Sequence, residues 1–269
     1  MNSTIQGGSQ LRIMCPTCKS GELTTESETE VCCTECQASF QVRNGIIDLL
    51  PTSEEPFAAT FMKWEWTGRF YESRWWRRNP VILFISTGIS FDDEYEVISR
   101  AANLKGDETL LDLACGPGIY TRPFARKLHH GTVVGLDLSF SMLNFAQKRA
   151  RAEGIENLLF IRGDALNLPF PDNQFDVVNC CGALHLFPYP QVLDNIGRIL
   201  KPQGRFTVTV VRQVEGGTFA KMREYTFRKS GVYPFPQHEL ETLLTRAGLT
   251  DLECHHAKRF YMIMSATKQ

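Results

Sequence analysis

Two carboxylates bracket a pair of glycines in the middle of the chain: Asp112, then Gly116 and Gly118, then Asp137 nineteen residues after the second glycine. The stretch Leu110-Leu-Asp112-Leu-Ala-Cys-Gly116-Pro-Gly118 reads as an apolar strand entering a glycine turn that opens a helix. Glycine lets a backbone pass close beneath a ligand where a Cβ would clash. Asp137 ends the next apolar run, where a carboxylate can accept both hydroxyls of a ribose. Two details argue against a dinucleotide. Thr121 stands where a third glycine belongs, and Asp112 would set a negative charge near a pyrophosphate. The same charge suits a ligand that carries an ammonium and a sulfonium.

A second constellation lies near the N-terminus. Cys15 and Cys18 form one Cys-x2-Cys pair, Cys33 and Cys36 another, and 14 residues separate the pairs. Two such turns aim four thiolates at one point, which is a closed tetrahedral zinc shell of structural type. Cys32 rivals Cys33, but the x2 spacing to Cys36 selects Cys33. Five of the nine cysteines fall between positions 15 and 36, and such clustering favours metal over disulfides in a reducing compartment. A unit of this size buries too little surface to fold alone, and a metal offsets the deficit.

These residues need elements to position them. With 269 residues, 43% of them hydrophobic, the chain suits one medium domain plus a small module. A net charge of -1 gives no global attraction to polyanions. No secretory leader or stretch of eighteen uncharged apolar residues is visible, so the expected compartment is the cytoplasm. Residues 1–10 read as disordered, 11–50 as the zinc ribbon and 51–60 as a Pro- and Glu-containing linker. Residues 61–104 carry a helical pattern. From 105 to 212 strand and helix signals alternate, which predicts an α/β fold with a mostly parallel Rossmann-like sheet between helices. Residues 213–236 read as an insertion, and 237–269 as a helix followed by two antiparallel strands.

S-adenosylmethionine carries both an ammonium and a sulfonium. Here the sequence resembles the class I methyltransferases, in particular the large type 11 family. The resemblance rests on the Asp112–Gly118 loop, Gly135-Leu-Asp137, Gly163-Asp164-Ala165 with Leu168-Pro-Phe, Phe175-Asp-Val-Val, and Arg198-Ile-Leu-Lys-Pro-Gln-Gly204. It implies that Asp137 holds the ribose and that Asp164 contacts the adenine amino group. Leu138 and Met142 would flank the adenine, and the loop containing Ala114, Gly116 and Gly118 would lie beneath the methionine part. Ala165 and Asn179 would complete the cofactor side. The zinc module, the Tyr71-Glu-Ser-Arg-Trp-Trp run and the C-terminal helix are similar to a narrower group of plastid and bacterial type 11 methyltransferases.

The activated methyl group asks the protein mainly to align a nucleophile, and some acceptors also need a base. His185 is the candidate base, with a pocket-wall histidine as the plain alternative. Cys180 and Cys181 stand where some RNA cytosine methyltransferases keep a nucleophile, but the preceding proline of that pattern is absent, so both read as buried small residues. Trp64, Trp66, Tyr71, Trp75 and Trp76 interleave with arginines, and Phe61, Trp64, Gly68, Tyr71 and Trp75 follow helical three-and-four spacing. A lid over the acceptor, a base-stacking surface and a membrane-surface helix compete for that segment. Under the lid reading, Tyr71 and Trp75 contact the substrate, and residues 212–236 form the opposite wall with Tyr225 and Tyr233 as candidate contacts. The favoured acceptor is a small molecule. The alternatives are a ribosomal RNA base, because some guanine methyltransferases also carry a zinc module, and a non-enzymatic scaffold, against which the intact Asp112, Gly116, Gly118 and Asp137 speak.

Overall fold

The computed structural model describes residues 11–50, 88–214, Lys229 and 234–269. The readings made for 1–10, the 51–60 linker, most of the 61–104 lid and the middle of the 213–236 insertion lie outside the described residues, as do Tyr71, Trp75, Tyr225 and Tyr233.

The N-terminal part is four short strands: β1 (Leu23–Ser27), β2 (Glu30–Cys33), β3 (Ser39–Arg43) and β4 (Ile46–Asp48). After α1 (Phe91–Ala101) the chain alternates β5 (Thr109–Leu113), α2 (Thr121–Lys127), β6 (Thr132–Asp137), α3 (Phe140–Ala152), β7 (Leu158–Arg162) and β8 (Phe175–Cys181). A 3-10 turn (Leu184–Leu186), α4 (Tyr189–Ile199) and β9 (Leu200–Val211) follow, and α5 (Gln237–Arg246), β10 (Leu249–Lys258) and β11 (Tyr261–Lys268) end the chain.

Local chemistry accounts for the boundaries. The Ser90 hydroxyl caps α1 by accepting from Asp93 N–H at 3.1 Å, and three acidic residues in the first turn complement the helix dipole. Every residue of β5 is buried, as expected of a parallel strand covered on both faces. The two ends of the 213–236 segment meet at its neck, where Arg212 and Phe235 form a parallel bridge.

One sheet of eleven strands results, in the order β1-β2-β3-β4-β7-β6-β5-β8-β9-β11-β10. The run β4-β7-β6-β5-β8-β9 is parallel throughout, β1 to β4 pair antiparallel at one edge, and β11 and β10 close the other edge antiparallel. From β5 the chain winds outward through β6 and β7, then returns to place β8 on β5's other side. That reversal is a topological switch point, and ligands of open α/β sheets bind beyond the strand ends there.

The cysteine module is joined to this sheet rather than hung from it. Strand β4 pairs in parallel with β7, Ile47 opposite Ile161. Leu11, Ile13, Val31, Ile47 and Leu49 pack in the same core cluster as Ile161, Phe170 and Leu193. Across the seam, Arg162 meets Asp48 at 3.1 Å with both side chains almost fully buried, and Arg43 pairs with the same carboxylate.

Candidate active site

Asp112 and Asn179 sit directly opposite each other on the two strands that flank the switch point, and Thr207 of β9 continues the row. Their side chains are bonded in series. Thr207 donates to Asn179 Oδ1 at 2.8 Å, and Asn179 Nδ2 donates to Asp112 Oδ1 at 2.7 Å. The other Asp112 oxygen accepts the Thr121 hydroxyl at 2.5 Å. Thr121, which sequence reasoning noted only as a missing glycine, is therefore the second support of the carboxylate. Asn179 is sealed behind Asp112 with no exposed surface, so it reaches the site through that residue.

Asp137 ends β6 at the same rim. It accepts Gly116 N–H and Ser139 N–H, both at 2.8 Å, which pins the glycine turn to the strand end. An ionised carboxylate offers about four lone-pair positions, so two remain for outside donors such as a pair of ribose hydroxyls. The two glycines have different tasks. Gly116 has φ +53° and a Cβ on it would meet nothing within 4 Å, so its open side faces space a ligand can take. Gly118 has φ +74° and a Cβ there would stand 2.9 Å from the Ala146 Cβ, so it serves the packing of the turn on α3. Ala114 also holds a left-handed backbone, φ +56°, which is costly for a residue with a side chain and marks the turn as strained.

Beside the turn, Leu138 is half-buried and Met142 lies buried in the first turns of α3. Asp164 is half-buried next to buried Ala165. It turns its carboxylate onto its own loop, accepting Leu166 N–H at 2.9 Å. His185 sits in the 3-10 turn beyond β8, 9% exposed, and its Nδ1 is buried without a hydrogen-bond partner among the described residues. Cys180 is fully buried, as the sequence suggests. Cys181 is not merely filler: it is half-buried and its thiol donates to Asn179 Oδ1 at 3.2 Å.

The electrostatics favour a cation. Burial pushes the Asp112 carboxyl up to about 6, the hydrogen bonds from Thr121 and Asn179 oppose that, and the charge of Asp137 adds to it. Asp137 is raised by burial too, against the pull of its backbone donors. No cationic side chain among the described residues pairs with Asp112. Glycine turn, ribose-type carboxylate and a buried acid lacking a counter-charge together fit a sulfonium nucleoside. A cation prefers ionised Asp112, so bound ligand lowers that carboxyl's pKa. Affinity for S-adenosylmethionine is then expected to be level above about pH 7 and to fall as pH drops through 6, by up to about tenfold per unit. Titration calorimetry at several pH values checks this, and a flat profile from pH 5 to 8 overturns it.

At the N-terminus, the Cys15, Cys18, Cys33 and Cys36 sulfurs all lie within 4.8 Å of one another. Cys15 and Cys36 are 3.7 Å apart, Cys18 and Cys33 3.6 Å. Zinc–sulfur bonds of about 2.3 Å in a tetrahedron put sulfurs roughly 3.8 Å apart, so the cage has the right size. Cys32, the sequence rival, is not in that group.

Strand order and site together define a Rossmann-like, S-adenosylmethionine-binding class of enzyme. Comparison with known proteins agrees. A family profile described as "Methyltransferase domain" matches residues 110–204. The chain is 32% identical to a demethylmenaquinone methyltransferase of Symbiobacterium thermophilum, over 59% of this chain and 74% of that one. It is 28% identical to an uncharacterized chloroplastic methyltransferase of Arabidopsis thaliana, over 90% of this chain and 72% of the relative. A SAM-dependent methyltransferase structure from Aquifex aeolicus superposes with TM-score 0.58 at 18% identity, over 76% of this chain and 98% of that one. The chain belongs to the S-adenosylmethionine-dependent methyltransferase family. Among the described residues, no helix is long and apolar enough to cross a membrane.

Proposed function

We propose that this enzyme methylates a small-molecule acceptor with an apolar body, bound at the rim of the sheet beside His185. The observation that carries the reading is the Asp112–Gly116–Asp137 cradle at the switch point, together with His185 in the turn that follows β8, the strand paired with β5. The demethylmenaquinone methyltransferases similar to this chain bear a small, apolar acceptor in their name, and Leu186 next to His185 is a large hydrophobic side chain left 62% exposed. The ribosomal RNA alternative draws no support from these relatives.

S-adenosylmethionine, when bound, supplies an activated methyl group. The protein's own residues do the rest. Asp137 would hold the ribose, and Asp164 with Leu138, Met142 and Ala165 the adenine. The loop at Ala114, Gly116 and Gly118 would lie under the methionine arm, with Asp112 as counter-charge and Asn179 as its support. Burial lowers the His185 pKa, so its imidazole is neutral at pH 7 and free to accept a proton from the acceptor. Tyr71, Trp75 and Tyr225 belong to the same proposal as acceptor contacts. The ribbon cysteines would hold one structural zinc ion. We keep the cytoplasm as the compartment, on cysteine usage alone.

The test is to incubate the purified enzyme with methyl-labelled cofactor and fractionated cell extract. Label is expected in the organic-soluble, low-mass fraction, and His185→Ala should cut that transfer about 100-fold with cofactor affinity unchanged. Label confined to RNA or protein refutes the reading.

A further inference from the structure

A cleft of about 740 Å³ runs along the seam between the cysteine module and the sheet. One wall belongs to the module, with Pro16, Phe40 of β3 and Leu50 just past β4, and the other to the chain after β7, with Gly163, Asp164 and Pro169. Sites for small organic ligands measure about 300–1,000 Å³, so this one has ligand size. Its walls are tied by backbone bonds: Met14 N–H donates to Pro169 O at 2.8 Å, and Leu49 N–H to Arg162 O at 3.0 Å. The cleft is thus built into the fold. Strand register places it. Asp137, which ends β6, stands opposite Arg162, which ends β7, and Arg162 stands opposite Asp48, which ends β4. The three parallel strands stop on one rim, the rim that carries the ribose-type carboxylate. Just beyond it, Leu50 and Asp164 face the same cleft from the ends of neighbouring strands. Asp164 accepts Leu166 N–H at 2.9 Å and Asn167 Nδ2 at 3.3 Å, which leaves about two of its four lone-pair positions for an outside donor.

We propose that this cleft is the outer end of the cofactor's adenine site, so that the cysteine module supplies a wall of it through Leu50 and Phe40. This rests on the cofactor reading above. A purine is a flat apolar ring with an amino group on one edge. Half-buried Leu50 and Phe40 with the two prolines suit the ring, and the Asp164 carboxylate suits the amino edge. The arrangement also gives the joining of β4 to β7 a functional reason, since a wall that bounds a nucleoside has to be held in register with the rest of the site. Because the cleft continues past Asp164 toward the module, the space beyond the amino group is open. The enzyme should therefore accept an adenine enlarged at that nitrogen, and the module's residues should set how large the addition can be.

Two probes test this by titration calorimetry on the full-length protein: S-adenosylhomocysteine and its derivative with a benzyl group on the adenine amino nitrogen. The derivative keeps one N–H for Asp164, so wild type is expected to bind it within about tenfold of the parent. Two substitutions then fill the cleft from the module's side, Leu50→Trp at the rim and Gln41→Trp on the exposed face of β3, which also lines the cleft. The second sits on the surface and keeps the test open if the first disturbs folding. Each should weaken the benzyl derivative by a further tenfold or so, the usual cost of forcing a group into occupied space. Binding of the parent should change less than about threefold in Gln41→Trp. A derivative bound more than about tenfold more weakly than the parent by wild type means the amino edge faces closed protein, and overturns the proposal. So does a derivative that binds both variants as well as wild type, or an equal fall of both probes in Gln41→Trp. Should wild type bind neither probe, the cofactor reading falls together with this one. Binding of the parent alone sinks only this one.

Discussion

Replacing Asp137 by alanine is expected to weaken S-adenosylmethionine binding on the order of 100-fold or more, the largest loss of any single cofactor-side change. Two terms add. The carboxylate's free lone pairs would no longer meet the ribose hydroxyls, and a hydrogen bond to a charged group is worth about 1.5–3 kcal/mol. The same carboxylate accepts Gly116 N–H and Ser139 N–H, so its removal also frees the glycine turn from the end of β6. Asp137→Asn separates the terms, since the amide oxygen can keep one backbone bond while the charge is lost. An intermediate loss, of about tenfold, is expected there. Calorimetry with S-adenosylhomocysteine measures both variants, and the unfolding midpoint guards against misfolding. Wild-type affinity in Asp137→Ala would remove the assignment of this carboxylate to the ribose.

How much of this was legible in the sequence depends on the range of the contacts. The strands from β5 to β9 announce themselves as short apolar runs between turn residues, because parallel strands are buried on both faces. The glycine turn is equally local. Asp112, Gly116 and Asp137 could thus be singled out by spacing, and the fold places Gly116 and Asp137 in direct hydrogen-bond contact. What escaped was everything that depends on partners far along the chain. Thr121 supports Asp112 from nine residues away, across a turn whose geometry the sequence does not print. Glu94 looks like one more acidic residue at a helix start, where acidic residues are common. Its burial comes from Tyr120, 26 residues on, and Tyr261, 167 residues on. Even α1 as a whole showed only as part of the helical pattern over residues 61–104.

The same reasoning explains why the ribbon's attachment went unseen. The four-cysteine cluster was legible because the Cys-x2-Cys pairs are local. Strand β4 has only three residues, and its partner β7 lies more than a hundred residues later. Asp48 within it reads as a polar stop to Ile46-Ile47. Its role as the buried partner of Arg162, 114 residues away, is set by the sheet and by nothing nearby.

That attachment makes metal removal the change with the widest expected effect. One zinc ion per chain is expected by elemental analysis. The binding free energy of structural zinc in small modules is about 10–16 kcal/mol, and all of it is folding free energy for a unit this small. The cage also has little slack: a Cβ at Gly21 would collide with the Cys33 sulfur. Were the ribbon an independent appendage, chelation or Cys33→Ser would unfold it and leave the catalytic domain's melting temperature alone. The structure argues otherwise. Losing the ribbon strips β4 from the edge of β7, removes five apolar side chains from the main core cluster and leaves Arg162 buried without Asp48. Removing one partner of a buried ion pair by itself costs about 3–5 kcal/mol. At about 2–4 °C per kcal/mol for a domain of this size, the catalytic domain should melt at least roughly 10 °C lower without metal. Because β7 ends beside the Gly163–Asp164 loop, cofactor affinity should weaken in the same sample. A melting curve followed through added S-adenosylhomocysteine reports the catalytic domain specifically. If its midpoint and its ligand-induced shift are the same with and without metal, the shared sheet transmits nothing, and the ribbon is a passenger.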